Sequence, residues 1–290
     1  MRIVHLLNFF VGSQENDRVQ RRTLESLHLA AGFAASVGID VIHVFLGDQD
    51  DLHYLQSLLA ATGFSGRHEL VLTEGDPGRY PFLHGRSNPS LTDTFFGAGV
   101  RAMLAQVCGS VDQGECLILI SNTDICLRPH AYLGIDLIHR HNRKASFVIN
   151  RETLGESLLD RPIQESFAVV GHQHPGHDFF CLTRACYDDM DLNEGSHLVG
   201  FGFVMRPVLA NMIFRSDPFG EIATSRLTFH YGDDMPWKDS KWSEAVAFNR
   251  QGMVSVYWRL HHARYARLSA EKQAQLDRFF PVSLVGSRHD

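Results

Sequence analysis

The sequence predicts an α/β fold: a mostly parallel central sheet flanked by helices, with a mixed α+β second half. Three observations predict it. Short β-branched apolar runs alternate with helical segments from the N-terminus to about residue 150, and such alternation gives parallel strands joined by crossover helices. The best of these runs, IDVIHVFL at 39–46 and ECLILIS at 115–121, are almost wholly apolar, as strands covered on both faces are. Beyond Arg151 the alternation loosens into shorter mixed pieces. A soft boundary near Asn150 therefore divides 1–150 from 151–290 within one compact domain.

Taken in order, Arg2–Phe10 reads as a first buried strand and Gly12–Asp17 as a polar loop. Gln20–Val37 reads as a helix, with Leu24, Leu27, Ala31 and Ala34 at helical spacing. Gly38 stands where a helix-ending glycine belongs. After the strand at 39–46 come a helix at 50–62, closed near Gly63, and a strand at 68–72. The run EGDPGRYPFLHGRSNPS is a long loop. A helix of small and apolar residues at 92–107 leads to the strand at 115–121. A helix at 129–141 and a strand at 145–150 close the regular part. In the second half, 166–170, 179–183 and 199–205 read as strands, and 207–214 and 243–251 as helices.

Composition narrows the function. The chain has 290 residues, 44% hydrophobic and 21% charged, with a net charge of -6. It lacks the basic field that a phosphate backbone demands, so nucleic acid is not the expected partner. The opening MRIVHLLNFFVG is too short to span a bilayer and lacks a cationic leader followed by a cleavage site. No transmembrane segment is expected, and the protein reads as cytoplasmic. The five cysteines form no CxxC pair and read as reduced, buried thiols.

The chemistry concentrates at the end of the strand 115–121. In open α/β sheets ligands bind beyond the carboxyl ends of the strands. Asn122, Thr123 and Asp124 stand there. A carboxylate with an amide two residues earlier faces one way on an extended chain. That pair offers oxygen ligands to Mg²⁺ or Mn²⁺, which complete their shells with phosphate oxygens and water. The same residues also make an ordinary turn or helix cap.

At this motif the chain resembles the GT-A nucleotide-diphospho-sugar transferases, whose DxD motif ends a buried strand and holds the metal bridging the donor diphosphate. Here it reads Asn122-Thr123-Asp124, with an amide in place of the first acid. The resemblance extends to VHLLNFF, RRTLESLHLA, HPGHDFF, LVGFGF and FHYGDDMPW. It implies a GT-A-like, Rossmann-like fold, with nucleotide-sugar binding in 1–150 and acceptor binding in 151–290. It implies Mn²⁺ or Mg²⁺ held by Asp124 and Asn122, completed by His230 from the late part of the chain, with Asn122 and Thr123 beside the nucleotide. Gly232 would let backbone approach a phosphate, and Asp233 and Asp234 are further acidic candidates. Asp178 is the candidate base toward an acceptor hydroxyl. The end of the first strand would line the nucleotide pocket, with Asn8 and Phe9 against the base. Arg79 and Arg86 in the long loop would meet the diphosphate. Trp237 and Trp242 could stack on a sugar or simply pack.

The implied activity is metal-dependent transfer of a sugar from a nucleotide-diphosphate donor to the hydroxyl of a glycan or small-molecule acceptor, with surface-polysaccharide synthesis as the fold's usual setting. Three rivals remain. A nucleotidyltransferase would want a Gly-rich loop with a basic residue after the first strand, and NFFVGSQENDR offers one glycine. A catalytically weak relic acting as a binding module fits the amide in the motif. A zinc hydrolase would use His172, His174, His177 and Asp178, but the acid follows the last histidine instead of preceding it.

Overall fold

The computed structural model describes residues 1–73, 90–109, 116–142, 145–192, 197–216, 218–232 and 239–286. In chain order its elements are β1 (Arg2–Asn8), α1 (Gln14–Ser36), β2 (Asp40–Gly47), α2 (Gln49–Thr62), β3 (His68–Leu72), α3 (Leu91–Phe95), α4 (Ala98–Cys108), β4 (Cys116–Ser121), β5 (Cys126–Leu127), α5 (Ala131–His141), β6 (Ser146–Leu154), α6 (Ile163–Ala168), β7 (His172–Thr183), α7 (Arg184–Asp188), α8 (Arg206–Arg215), β8 (Phe219–Ile222), β9 (Thr228–Tyr231), α9 (Ser243–Arg264), α10 (Ala270–Phe279) and α11 (Val282–Val285).

One curled sheet organises them, in the order β3-β2-β1-β4-β7-β6-β9-β5, with β8 also on β6. The β1, β2, β3 and β4 pairings are parallel. β7 enters antiparallel to both β4 and β6, while β8 and β9 run parallel to β6. The fold class is thus the mixed α/β arrangement the sequence predicts.

Period-two alternation builds a core on each face. Ile3, Leu7, Leu117 and Leu119 pack beneath α1, α2 and α5. Val4, Leu6, Ile118 and Ile120 pack on the other side against α4, α8 and α9. β4 is buried at all six positions, so its chain can meet solvent only past Ser121. Local signals set the helix ends. Ser13 and Asn16 form a reciprocal capping box at the start of α1, as Asp48 and Asp51 do for α2. Gly63 ends α2 in the left-handed conformation.

Several expectations are corrected. The predicted helix at 92–107 breaks between Phe95 and Ala98. Residues 166–170 lie mostly in α6, and 199–205 form turns, with Gly200 and Phe203 at positive φ. β7 starts at His172, seven residues before the predicted strand at 179–183. Cys108 and Cys116 are joined by a disulfide, so only Cys126, Cys181 and Cys186 are buried free thiols. Among the described residues, no helix is long and apolar enough to cross a membrane.

Candidate active site

The chain leaves β4 at Ser121 and makes a tight turn through Asn122–Asp124 before β5. The Asn122 carbonyl closes this turn by accepting the Ile125 N–H at 3.3 Å. β5 then pairs with β9, Cys126 opposite Phe229. The same β9 lies along the far end of β6, with His230 opposite Thr153. This two-residue ladder carries Asp124 to the side of His230. The His230 Nε2 lies 3.2 Å from Asp124 Oδ2.

Proton bookkeeping makes this contact informative. The His230 Nδ1 is 2.8 Å from the Gly232 carbonyl. A carbonyl only accepts, so Nδ1 carries the hydrogen and donates it. A neutral ring then presents the bare Nε2 lone pair to the Asp124 carboxylate, which also only accepts. Two acceptors at that distance need a cation between or beside them, either a proton or a metal ion. A backbone carbonyl fixing the remote ring nitrogen is also the usual support of a metal-bound histidine. The other carboxylate oxygen, Oδ1, is shut off from solvent with no hydrogen-bond partner. Burial opposes ionisation of Asp124, but a His230 ring that carries the proton on Nε2, together with the nearby Arg151 charge, outweighs it and holds the carboxyl below its ordinary range.

Gly232 explains why the carbonyl can turn back onto the ring. Its φ is +71°, and a Cβ there would lie 2.4 Å from Glu156 Oε1. Glu156, an exposed residue, holds the space a side chain at 232 would take.

Arg151 joins this pair to the expected base, and sequence reasoning missed it. Its Nη1 donates to Asp178 Oδ2 at 2.8 Å. The Arg151 side chain is 9% exposed, its Nε has no partner, and its charge acts on Asp124. The missed signal was the continuation of β6 through Leu154, where Arg151 and Glu152 stay buried because each has an ion partner. Glu152 pairs with Arg128 at 2.7 Å, and Arg128 also donates to the carbonyls of Phe167 and Val169. That cluster ties the loop after α6 to the sheet.

The other expected residues fare differently. Asn122 stands exposed on the turn, two residues before Asp124. Thr123 is buried, 5% exposed. Asn8 ends β1, but its amide donates to the Leu46 carbonyl at 2.9 Å, tying the ends of β1 and β2 together. Phe9 is a core residue, its ring edge-on to Phe45; the exposed ring at this strand end is Phe10. Trp242 packs on Phe201. Arg79, Arg86, Asp233, Asp234 and Trp237 lie outside the described residues.

The histidine cluster does not converge. His177 Nε2 lies 2.9 Å from the accepting carboxylate of Glu221 and sets its ring edge on Phe279, while His174 lies 3.7 Å from Asp178. Among the described residues, no group of three or more His, Cys, Asp or Glu side chains is arranged to hold a metal. The zinc-hydrolase alternative finds no support there. The Asp124–His230 pair brings one carboxylate and one imidazole together past the end of β4.

No family model matches the chain, and no curated protein matches it. Among solved structures it is similar to S. aureus TarS 1-349 in complex with UDP-GlcNAc, at 8% identity and a TM-score of 0.46, over 97% of this chain and 80% of that one. It is similar to 4-diphosphocytidyl-2C-methyl-D-erythritolsynthase from Anaerococcus prevotii, at 10% identity and a TM-score of 0.39, over 85% and 97% of the two chains. It is also similar to mouse xyloside xylosyltransferase 1, at 12% identity and a TM-score of 0.31, over 63% and 67%. All three matches are distant in sequence and partial in geometry.

Proposed function

We infer that this chain is a glycosyltransferase acting on a nucleotide-diphosphate sugar, with Asp124 and His230 as the cation grip at the carboxyl end of the sheet. One observation carries the reading. A carboxylate and an imidazole held in one tautomer, from distant parts of the chain, meet past the end of β4, where an open α/β sheet binds its ligands. The donor set of one carboxylate, one imidazole and the Asn122 amide fits Mn²⁺ or Mg²⁺.

A divalent ion held there supplies charge neutralisation for the departing nucleoside diphosphate. The protein groups do the rest. His230 is held in one tautomer by the Gly232 carbonyl. Asp178 accepts the acceptor hydroxyl's proton as the new glycosidic oxygen–carbon bond forms and the bond from the sugar carbon to the phosphate oxygen breaks. Arg151 fixes one oxygen of Asp178, leaving the other for that proton. The exposed Asn122 amide, where a second carboxylate would grip more strongly, favours one rival reading, a module that binds the nucleotide without turning it over.

The test is hydrolysis of a panel of UDP- and GDP-sugars, with and without EDTA. Hydrolysis of one donor that EDTA and Asp124→Ala each abolish supports the reading. Full activity of Asp124→Ala in EDTA removes it, and nucleotide binding without any hydrolysis favours the binding module.

A further inference from the structure

Directly beneath the Asn122–Asp124 turn, four buried side chains from four elements are joined end to end. Ser121 Oγ donates to the Asn122 carbonyl at 3.2 Å and lies 2.9 Å from His5 Nε2. His5 Nδ1 is 2.9 Å from the Tyr132 hydroxyl, which is 2.9 Å from His43 Nε2. All four residues are 0–2% exposed. They sit on β4, β1, α5 and β2, beside the apolar cluster that includes Leu7, Phe45 and Phe179.

Counting hydrogens gives this chain a direction. Serine has one hydroxyl hydrogen, spent on Asn122, so His5 Nε2 must donate to it. Burial lowers the pKa of His5 well below its ordinary value and that of His43 to about 4, so both rings are neutral and each carries one hydrogen. His5 Nδ1 is then bare and accepts the tyrosine hydrogen, and Tyr132 in turn accepts from His43 Nε2. What remains at the far end is His43 Nδ1, a buried acceptor without a partner. The opposite direction would turn a His43 Nδ1–H toward the Arg67 backbone, which also acts on this ring, and would leave the Asn122 carbonyl without the serine. The donation from Ser121 to Asn122 at 3.2 Å sets the direction.

We propose that His43, Tyr132, His5 and Ser121 are positioning residues, a one-way hydrogen-bond chain that clamps the Asn122 carbonyl and so fixes the turn presenting Asp124. The physical case rests on cost. Four polar groups in an apolar core carry a desolvation penalty that an all-apolar set would avoid. The strand and helix packing around them needs no such network. The place where the chain ends is the carbonyl that closes the Asp124 turn, which the Ile125 N–H also bonds. The inference rests on the functional reading above for the purpose of the turn, and on geometry alone for the clamp.

Two measurements decide it. In wild-type protein, nitrogen-15 NMR of the histidine rings is expected to show His5 and His43 both as Nε2–H tautomers. Finding His5 as the Nδ1–H form overturns the chain. Amide hydrogen exchange is then compared in Ser121→Ala and Tyr132→Phe. The Ile125 amide is expected to exchange about tenfold faster, the equivalent of one hydrogen bond. The Leu127 amide, anchored separately to Ser26 Oγ, is expected to keep its rate. Unchanged Ile125 exchange, or equal acceleration at both amides, shows that the network only stabilises the core and overturns the proposal. Ser121→Ala removes the smallest group, so it serves if Tyr132→Phe does not fold. A wild-type protein that binds neither UDP nor GDP with Mn²⁺ sinks the functional reading, while the exchange data still decide the clamp.

Discussion

Replacing Gly232 with alanine tests the geometry that makes His230 a ligand. The perturbation has two parts. An L-residue at φ +71° costs about 1–2 kcal/mol of backbone energy. The new Cβ would also lie 2.4 Å from Glu156 Oε1 and 2.9 Å from Glu156 Cγ. Glu156 is exposed and can swing away, so the steric part is small. The sum is about 1.5 kcal/mol, a fall in melting temperature of about 2–3 °C for a chain of this size. The backbone can relieve its strain by rotating, which would take the Gly232 carbonyl off His230 Nδ1 and free the ring to turn. Differential scanning calorimetry of Gly232→Ala, alone and with Glu156→Ala, measures both parts. The expected result is a loss that Glu156→Ala relieves only in small part, together with weaker Mn²⁺-dependent nucleotide binding. An unchanged melting temperature would refute the argument, because it would mean residue 232 does not hold the conformation that anchors His230. Complete relief by Glu156→Ala would locate the cost in the side-chain clash instead.

Other outcomes are expected. Arg128→Met strips the partner from the buried Glu152 and from the carbonyls of Phe167 and Val169, so urea unfolding should show a loss of about 3–5 kcal/mol. His43 resists protonation until about pH 4 when folded and titrates near 6.5 when unfolded. The unfolded state therefore binds the extra proton between those values, and stability falls as pH drops through that window, by about 3 kcal/mol from this residue at about 1.4 kcal/mol per pH unit; urea midpoints from pH 7 to 4 measure it. Asp124 acts in the same direction in a more acidic window. Its folded pKa is depressed, so its stabilising contribution is present above the unfolded carboxylate value and is lost as pH falls through the folded one. In Asp124→Asn the loss of stability at the acid end should be shallower. Arg151→Met and Asp178→Asn should each reduce donor hydrolysis, and the double variant should lose little more than either, since the two side chains act as one unit.

The regular half of the fold was legible because burial wrote it into composition. β2 and β4 are near-continuous apolar runs, too short for a buried helix and of the length of a strand covered on both faces. The start of α1 was misplaced because Ser13 is answered by Asn16 instead of a glutamate, so the capping box was read as loop. β7 was read short because Pro175 and Gly176 interrupt it. Its His172–His177 portion pairs only with β6, while β4 covers residues 179–183. A proline is tolerated on such a free edge. The run 199–205 has strand-like side chains but turns at Gly200 and Phe203. At the site, Asp124 could be placed from the end of its strand and His230 from the resemblance. Their contact could not, because it depends on the short β5–β9 ladder. Arg151 was invisible for a related reason. A charged residue after an apolar run reads as the end of a strand, unless its counter-charge on another element is known. Phe9 and Phe10 are indistinguishable by type, and only the packing of Phe45 decides which ring is buried.

The central claim is that Asp124 and His230 together grip a cation that a nucleoside diphosphate also binds. Calorimetric titration of UDP and of GDP into the wild-type protein, Asp124→Ala and His230→Ala, each with and without Mn²⁺, tests it most directly. The expected result is nucleotide binding by the wild type that requires Mn²⁺ and weakens at least about tenfold in either variant, a loss of roughly 1.4 kcal/mol or more. Binding of equal strength with and without Mn²⁺, or undiminished in both variants, would contradict the account.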